Sequence, residues 1–179
     1  MRIGIDVSQV AYENTGVANY LSKLVLELLK RDKTNEYVLF FSSFRRSLPL
    51  VFRTEAIKQA NNLTIKKFNL PPTALDVLWN RLHVLPIETF IGPVDLFITS
   101  DWSEPPSRAK KATIIYDLIV YKHPEETDQK INSVQKQKLS WVKKESDIVF
   151  CISKSTKNDA KDILGIDESK LRVIYPGVI

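Results

Sequence analysis

The chain has 179 residues, of which 44% are hydrophobic and 26% are charged. This length and composition are ordinary for a globular protein with one sizeable core. No apolar stretch reaches the roughly 20 residues that cross a bilayer. The first residues lack the pattern of a secretory signal, because Asp6 interrupts their apolar run. The single Cys151 excludes a disulfide framework and predicts a buried, inert thiol in a reducing, cytoplasmic compartment.

The net charge of +5 comes with clustered basic residues. The clusters are Arg45–Arg46, Lys66–Lys67, Arg108–Lys111, Lys136–Lys138 and Lys143–Lys144. They are either solvated faces or a surface that attracts phosphate-bearing substrates or anionic lipid, the latter as a peripheral contact at the inner membrane face. Nucleic acid is not expected as a partner, because no recognisable RNA- or DNA-binding motif accompanies the charge.

Apolar runs alternate with helical patterns along nearly the whole chain. Buried strands are predicted at 3–7, 37–41, 63–68, 94–99, 113–116, 148–152 and 171–174. From Val17, apolar residues recur at the spacing of an amphipathic helix that ends at Lys30 and Arg31. Further helices are predicted over 71–90 and 127–144. Unbroken apolar strands separated by helices predict a single α/β domain with a Rossmann-like, doubly wound parallel sheet.

The helix predicted over 127–144 has only a thin apolar stripe. Its members are Ile131, Val134, Trp141 and Val142. We therefore expect this helix to pack weakly, or to contact something other than the core of the domain.

Ligands of such a sheet bind outside the carboxyl ends of its strands. In the loop after the first strand, Asn14, Thr15 and Gly16 directly precede a strong helix, whose N-terminal N–H groups can face an anion. The alternative is that Gly16 only supplies a turn with positive φ.

The loop after the fourth strand brings Asp101, Trp102 and Glu104 together before two prolines. Carboxylates and a flat aromatic face suit a sugar, so these residues are candidates for binding a sugar-like acceptor. A solvated loop with a half-buried tryptophan is the equal alternative. Before the helix after the sixth strand, Ser153, Ser155 and Thr156 are explained by helix capping.

Other common catalytic and cofactor-binding motifs are absent from the sequence. The sequence has no G-x-G-x-x-G, no G-x-S-x-G and no G-x-x-x-x-G-K-[ST] pattern. Its two histidines lie 40 residues apart and there is one cysteine, so no zinc site is credible and His123 is interpreted as a loop residue. We expect no bound cofactor.

Three segments carry a resemblance to a known family. They are "GIDVSQVAYENTGVANYLSKL", "TIIYDLIVYKHPEE" and the C-terminal "ESDIVFCISKSTKNDAKDILGIDESKLRVIYPGVI". Together they resemble the N-terminal domain of the retaining glycosyltransferases of family 4, which have the GT-B architecture. The resemblance implies that the loop at 14–16 lies beside the donor diphosphate and the acceptor. It also implies catalytic positions at Tyr116, where most relatives carry a histidine close to the reacting sugar, and at Asp117.

The resemblance further implies a domain organisation. Residues 1–175 would be the acceptor-side domain, 176–179 would start an interdomain linker, and a donor domain holding the nucleotide sugar is expected beyond the end of this chain. The complete enzyme would transfer a hexose, such as mannose or glucose, to a glycan or lipid-linked acceptor with retention, as in bacterial surface polysaccharide assembly and without a metal. This chain alone is expected to be inactive.

The alternative is a non-catalytic binding module, or a partner of a separately encoded donor domain. Tyr116 in place of histidine favours this alternative slightly.

Overall fold

A computed structural model describes residues 1–54, 57 and 60–177. Seven strands in this part of the chain form one sheet in the order β3-β2-β1-β4-β5-β6-β7, with parallel pairing throughout. They are β1 (Arg2–Asp6), β2 (Glu36–Ser42), β3 (Leu63–Phe68), β4 (Leu96–Thr99), β5 (Lys110–Ile115), β6 (Ile148–Cys151) and β7 (Leu171–Val173). Each strand predicted from the sequence is present within a few residues of its expected bounds.

Helices connect the strands. They are α1 (Gly16–Arg31), α2 (Pro72–Leu75, continued by a π-helix over Asp76–Arg81), α3 (Glu88–Ile91), α4 (Ile119–Lys122), α5 (Gln129–Glu145) and α6 (Lys154–Asp162). The helix predicted over 71–90 is divided in two, because His83 and Leu85 both adopt positive φ between the π-helix and α3. None of the helices in the described part of the chain is long and apolar enough to cross a bilayer.

Both faces of the sheet are covered, as predicted for a doubly wound domain. On one face, Leu21 and Val25 of α1 pack in one cluster with Leu39 of β2. On the other face, Phe40, the next residue of β2, packs with Trp79 of the π-helix. Successive strand residues point to opposite faces, so β2 contributes to both cores and reads as a continuous apolar run. The fold is therefore a Rossmann-like α/β domain.

A separate apolar cluster forms around the β5 and β6 half of the sheet. Leu139 and Val142 of α5 pack there with Val149 and with Cys151. Burial raises the pKa of the Cys151 thiol to about 11, so the thiol remains protonated and unreactive near neutrality. The expectation of a buried, inert cysteine agrees with this environment.

The expectation for the helix at 127–144 is wrong. Of the predicted stripe only Val142 is fully buried, and Ile131 is 38% exposed. α5 instead buries Leu139 together with the polar Asn132 and Lys138, so it packs on the core of this domain. Hydropathy could not reveal this face because two of its members are polar and are held by hydrogen bonds.

Candidate functional site

The three loops selected from the sequence leave the same edge of the sheet. β1 lies between β2 and β4, and β4 pairs with β5 in parallel, so the carboxyl ends of β1, β4 and β5 are neighbours. Side chains connect the loops directly. The Ser100 and Tyr116 hydroxyls lie 2.9 Å apart, and Ser103 Oγ lies 3.5 Å from Asp6 Oδ2. The expected convergence of these loops at one edge is confirmed.

Thr15 forms the N-cap of α1. Its Oγ1 accepts a hydrogen bond from the Ala18 N–H at 3.2 Å and donates to the Tyr12 carbonyl at 2.9 Å. The left-handed residue of this loop is Asn14, with φ of 72°, so the interpretation of Gly16 as the residue with positive φ is wrong. A Cβ built on Gly16 would meet no atom within 4 Å, so the start of α1 is open to solvent. An exposed helix N-terminus of this kind can approach an anion.

Asp101 and Trp102 lie half-buried at the carboxyl end of β4. Gln135 of α5 donates to the Asp101 carbonyl at 3.0 Å and to Asp101 Oδ1 at 3.3 Å. The Trp102 carbonyl accepts from Asn80 Nδ2 at 2.9 Å. Both residues are therefore held in place by neighbouring helices while part of each side chain reaches solvent.

Glu104 does not join the exposed part of this edge. It is completely buried, and Lys111 Nζ lies 3.0 Å from its Oε1. Thr99 and Thr113 also donate to its carboxylate, at 2.6 Å and 3.1 Å. The expectation that Glu104 faces an acceptor from the loop surface does not fit this burial. The ion pair and hydrogen bonds of its carboxylate indicate a structural role in the core.

Tyr116 ends half-buried just after β5. Its ring packs edge-on against Tyr20 of α1, with 5.6 Å between the ring centroids. Burial raises the pKa of the Tyr116 phenol, and the hydrogen bond to Ser100 offsets this only in part. The phenol is therefore neutral near pH 7 and can donate or accept a hydrogen bond, but it cannot serve as a general base.

Asp117 is exposed at the turn that follows. Its Oδ1 accepts from the Ile119 N–H at 3.1 Å, which fixes the backbone at the start of α4. Thr156 of α6 donates to the preceding Tyr116 carbonyl at 3.1 Å, so the peptide between Tyr116 and Asp117 is held from a second side. The carboxylate keeps further acceptor capacity towards solvent.

Two charged groups beneath these loops were not predicted as part of the site. Asp6 is 5% exposed and accepts from the Ser8 N–H at 2.8 Å, while Lys138 of α5 is 2% exposed and donates to the Ser100 carbonyl. Burial raises the pKa of Asp6 and of Asp101 and lowers that of Lys138, and in each carboxyl the attraction of Lys138 opposes the effect of burial. The sequence could have indicated Asp6 as a site residue, because Asp6 lies at the end of a predicted buried strand. It gave no such indication for Lys138, which belongs to a basic cluster interpreted as a solvated face.

Lys111 belongs to the basic cluster Arg108–Lys111, for which a solvated face was one interpretation, and it is buried as well. It is 2% exposed and bridges Glu104 and Glu145, with Nζ 2.8 Å from Glu145 Oε2. Two members of the predicted surface clusters, Lys111 and Lys138, are thus core residues.

A small cavity of about 20 Å³ opens beside these loops. It is lined by Asp6, Ser8, Gln9, Tyr12, Ser42, Pro72, Leu75, Trp102 and Ser103. This volume accommodates about one water molecule.

Potential metal ligands cluster elsewhere. In the described part of the chain, one group of three possible metal ligands is present, formed by His123, Glu125 and Glu126. All three are exposed on the turn after α4, and their ligand atoms lie within 4.8 Å of one another. Exposed acidic groups of this kind are common without a metal, and no metal role is assigned to them. The exposure of His123 agrees with its interpretation as a loop residue.

The fold defines a class of protein, the Rossmann-like α/β domains, in which ligands generally bind outside the carboxyl ends of the parallel strands. The sequence model of Glycosyltransferase Family 4 matches residues 14–179, a span that includes each predicted site residue. The chain therefore belongs to glycosyltransferase family 4 and corresponds to the N-terminal domain of its GT-B architecture. Comparison with curated proteins gives no match.

Proposed function

We propose that this domain binds the acceptor in a retaining glycosyltransferase, which transfers a hexose from a nucleotide sugar to a glycan or a lipid-linked acceptor. The observation that carries the proposal is the convergence of the open N-terminus of α1, the Asp101–Trp102 pair and the Tyr116–Asp117 turn at one sheet edge. The family match supplies the class of reaction.

Each part of the edge suits one portion of the reactants. The N–H groups after Thr15 suit the diphosphate of the donor, because a helix N-terminus attracts anions. The indole of Trp102 offers an apolar face to a sugar ring, and the carboxylates of Asp101 and Asp117 accept hydrogen bonds from sugar hydroxyls. Tyr116 donates or accepts at the position of the reacting sugar, with the hydroxyl oriented by Ser100.

The donor sugar is proposed to bind mainly to a second domain that faces this edge. The leaving diphosphate would then lie between that domain and the N-terminus of α1. We propose mannose or glucose as the hexose, and we propose that the reaction proceeds without a metal or a bound cofactor.

Glycan binding by the chain tests the proposal. We expect binding to mannose- or glucose-containing oligosaccharides on an array, and we expect Trp102→Ala to weaken it at least about ten-fold, as loss of a main contact in a small interface would. Leu82→Ala is the matched control, because Leu82 is 63% exposed and its neighbour His83 bonds to Glu145 at the C-terminal end of α5. Absence of glycan binding, or equal binding by Trp102→Ala, would overturn the acceptor assignment.

One observation favours a second candidate, a binding module without catalysis. The Tyr116 hydroxyl is bonded to Ser100 and burial raises its pKa, so the position of the family histidine carries no proton acceptor at neutral pH. A protein of this kind would bind the glycan in the array experiment. It would show no transfer when supplied with a donor domain and a nucleotide sugar.

A further inference from the structure

A loop at the same sheet edge combines fixed backbone with exposed apolar side chains. We call residues 43–54, which directly follow β2, the arginine-rich loop. Leu48 and Phe52 of this loop are 2% and 1% exposed and belong to the core cluster beneath α1. The exposed Arg53 donates from its guanidinium to the Leu48 carbonyl and closes the turn. The loop is therefore attached to the core at two points.

Apolar residues before and between these two anchors face solvent. Leu50 is 78% exposed and Phe44 is 65% exposed, which makes them the two most exposed large apolar side chains in the described part of the chain. Val51, beside Leu50, is 41% exposed. Exposed apolar groups held on a fixed turn are a sign of a contact surface rather than of an unpacked core.

The charge of the loop has one sign. It carries Arg45, Arg46 and Arg53 and no acidic residue between 43 and 54. The next residue along the sequence is Glu55, which lies outside the described residues. Lys66 and Lys67 are exposed near the end of β3, which pairs with β2, so this corner of the sheet adds further positive charge.

The loop adjoins the candidate site. The guanidinium of Arg46 lies 4.6 Å from the centroid of the Tyr12 ring, and its Nη1 donates to the Ala11 carbonyl at 3.4 Å. Tyr12 precedes the N-cap of α1 and lines the small cavity at the sheet edge. A surface that docks through this loop would thus lie next to the open edge.

We propose that the arginine-rich loop docks the protein on a membrane surface that carries anionic lipid. Leu50, Phe44 and Val51 enter the boundary between headgroups and acyl chains, and the arginines contact the lipid phosphates. Arginine suits this position because its stem packs along apolar groups while its guanidinium reaches the phosphates. A second copy of the chain is disfavoured as the occupant, since it would bring the same positive charges together.

Vesicle sedimentation with the full 179-residue chain tests the docking, and it needs no sugar transfer. We expect binding to vesicles of phosphatidylcholine mixed with phosphatidylglycerol, little binding to phosphatidylcholine alone, and a decrease with added salt. Phe44→Ser with Leu50→Ser should weaken binding at least about ten-fold, because both inserted side chains are lost. Arg45→Gln should weaken it about five-fold, the effect of one basic residue near such a surface.

Two matched controls distinguish binding through this loop from non-specific adsorption to the vesicles. Leu82→Ser removes an equally exposed apolar side chain, since Leu82 is 63% exposed and lies beside His83, which bonds to Glu145 at the end of α5. Lys130→Gln removes one exposed positive charge from α5. We expect both to bind like the unmodified chain, and circular dichroism should show the same fold for all variants.

Three results would overturn the proposal. The first is a lack of binding to the anionic vesicles, and the second is equal loss of binding in the loop variants and the controls. The third is a dimer, seen by sedimentation velocity, that Leu50→Ser abolishes, because a second copy would then cover the loop.

Discussion

The hydroxyl groups of Tyr116 and Ser100 lie 2.9 Å apart and join the residues that follow β5 and β4. Ser100 is 1% exposed, whereas Tyr116 is half-buried, so the pair connects the interior of the sheet to its open edge. Thr156 donates a hydrogen bond to the Tyr116 carbonyl, and the ring of Tyr20 packs against the ring of Tyr116. Together with the Ser100 hydroxyl, these contacts hold Tyr116 from three sides. A side chain held in this way is suited to positioning a substrate.

We predict that Tyr116→Phe lowers sugar transfer in an enzyme that joins this domain to its donor domain. The substitution removes only the hydroxyl, so the free energy of unfolding should fall by about 1 kcal/mol, the net value of one hydrogen bond. Tyr116→His should preserve or raise the rate, because it restores the residue that is common in the family. Steady-state kinetics and thermal unfolding measure the two effects.

Tyr121→Phe is the control for this experiment, since it removes a phenol from the neighbouring helix α4. Its transfer rate should equal that of the unmodified enzyme. If Tyr116→Phe also transfers at that rate, the hydroxyl has no role in the reaction, and the reacting group must be sought at Asp101.

We predict that the 179-residue chain by itself neither hydrolyses nor transfers from UDP-, GDP- or ADP-sugars. The edge described above is open, and the cavity beside it has only about 20 Å³, so we expect the described part of the chain to lack the preorganised, water-excluded contacts that stabilise a departing diphosphate. Release of nucleoside diphosphate, followed by chromatography, measures the activity. Turnover that copurifies with the chain and is lost in Tyr116→Phe would contradict the prediction.

We predict that Lys111→Met lowers the free energy of unfolding by about 3–5 kcal/mol. The substitution leaves the completely buried Glu104 carboxylate without its cation, 3.0 Å away in the unmodified protein, and an unpaired buried charge is costly. Urea unfolding measures the change.

Lys110→Met is the matched control, because Lys110 is exposed at the adjacent position of β5 and should cost less than about 0.5 kcal/mol. Adding Glu104→Gln to Lys111→Met should recover part of the loss, since the uncompensated charge is removed. Equal stabilities of Lys111→Met and Lys110→Met would show that the buried ion pair contributes nothing.

The strands and their parallel pairing could be inferred from the sequence because burial on both sides imposes long apolar runs. Tyr37–Phe41 is the clearest case, as each of its residues is buried. Parallel pairing then determines which loops converge, and this allowed Asn14, Asp101 and Tyr116 to be placed at one edge before their contacts were known.

The polar interior could not be inferred in the same way. Glu104, Lys111 and Lys138 have the composition of surface residues, and their burial depends on partners that are distant in sequence. Lys111 and Glu145, for example, are 34 positions apart and meet only after β5 and α5 are packed. Sequence periodicity carries no information on such pairings, so Glu104 was assigned to the surface.

We predict that Glu145 contributes to stability in a pH-dependent way. Burial raises its pKa, but the hydrogen bonds and charges of Lys111 and His83 outweigh this and lower the pKa below its ordinary value of 4.5. A carboxyl whose pKa is lowered by folding stabilises the folded state above that ordinary value. The contribution is lost as the pH falls through the folded pKa.

The difference in free energy of unfolding between the unmodified protein and Glu145→Gln should therefore be constant near neutrality and should shrink below pH 4.5. Chemical denaturation at a series of pH values measures this difference. Comparing the two proteins cancels other carboxyls with lowered pKa, such as Glu88 and Glu168. Glu13→Gln is the control for the loss of one carboxylate, because Glu13 is exposed in the loop before α1. A Glu145→Gln difference that stays constant through acid pH would show that its ion pair with Lys111 does not stabilise the fold.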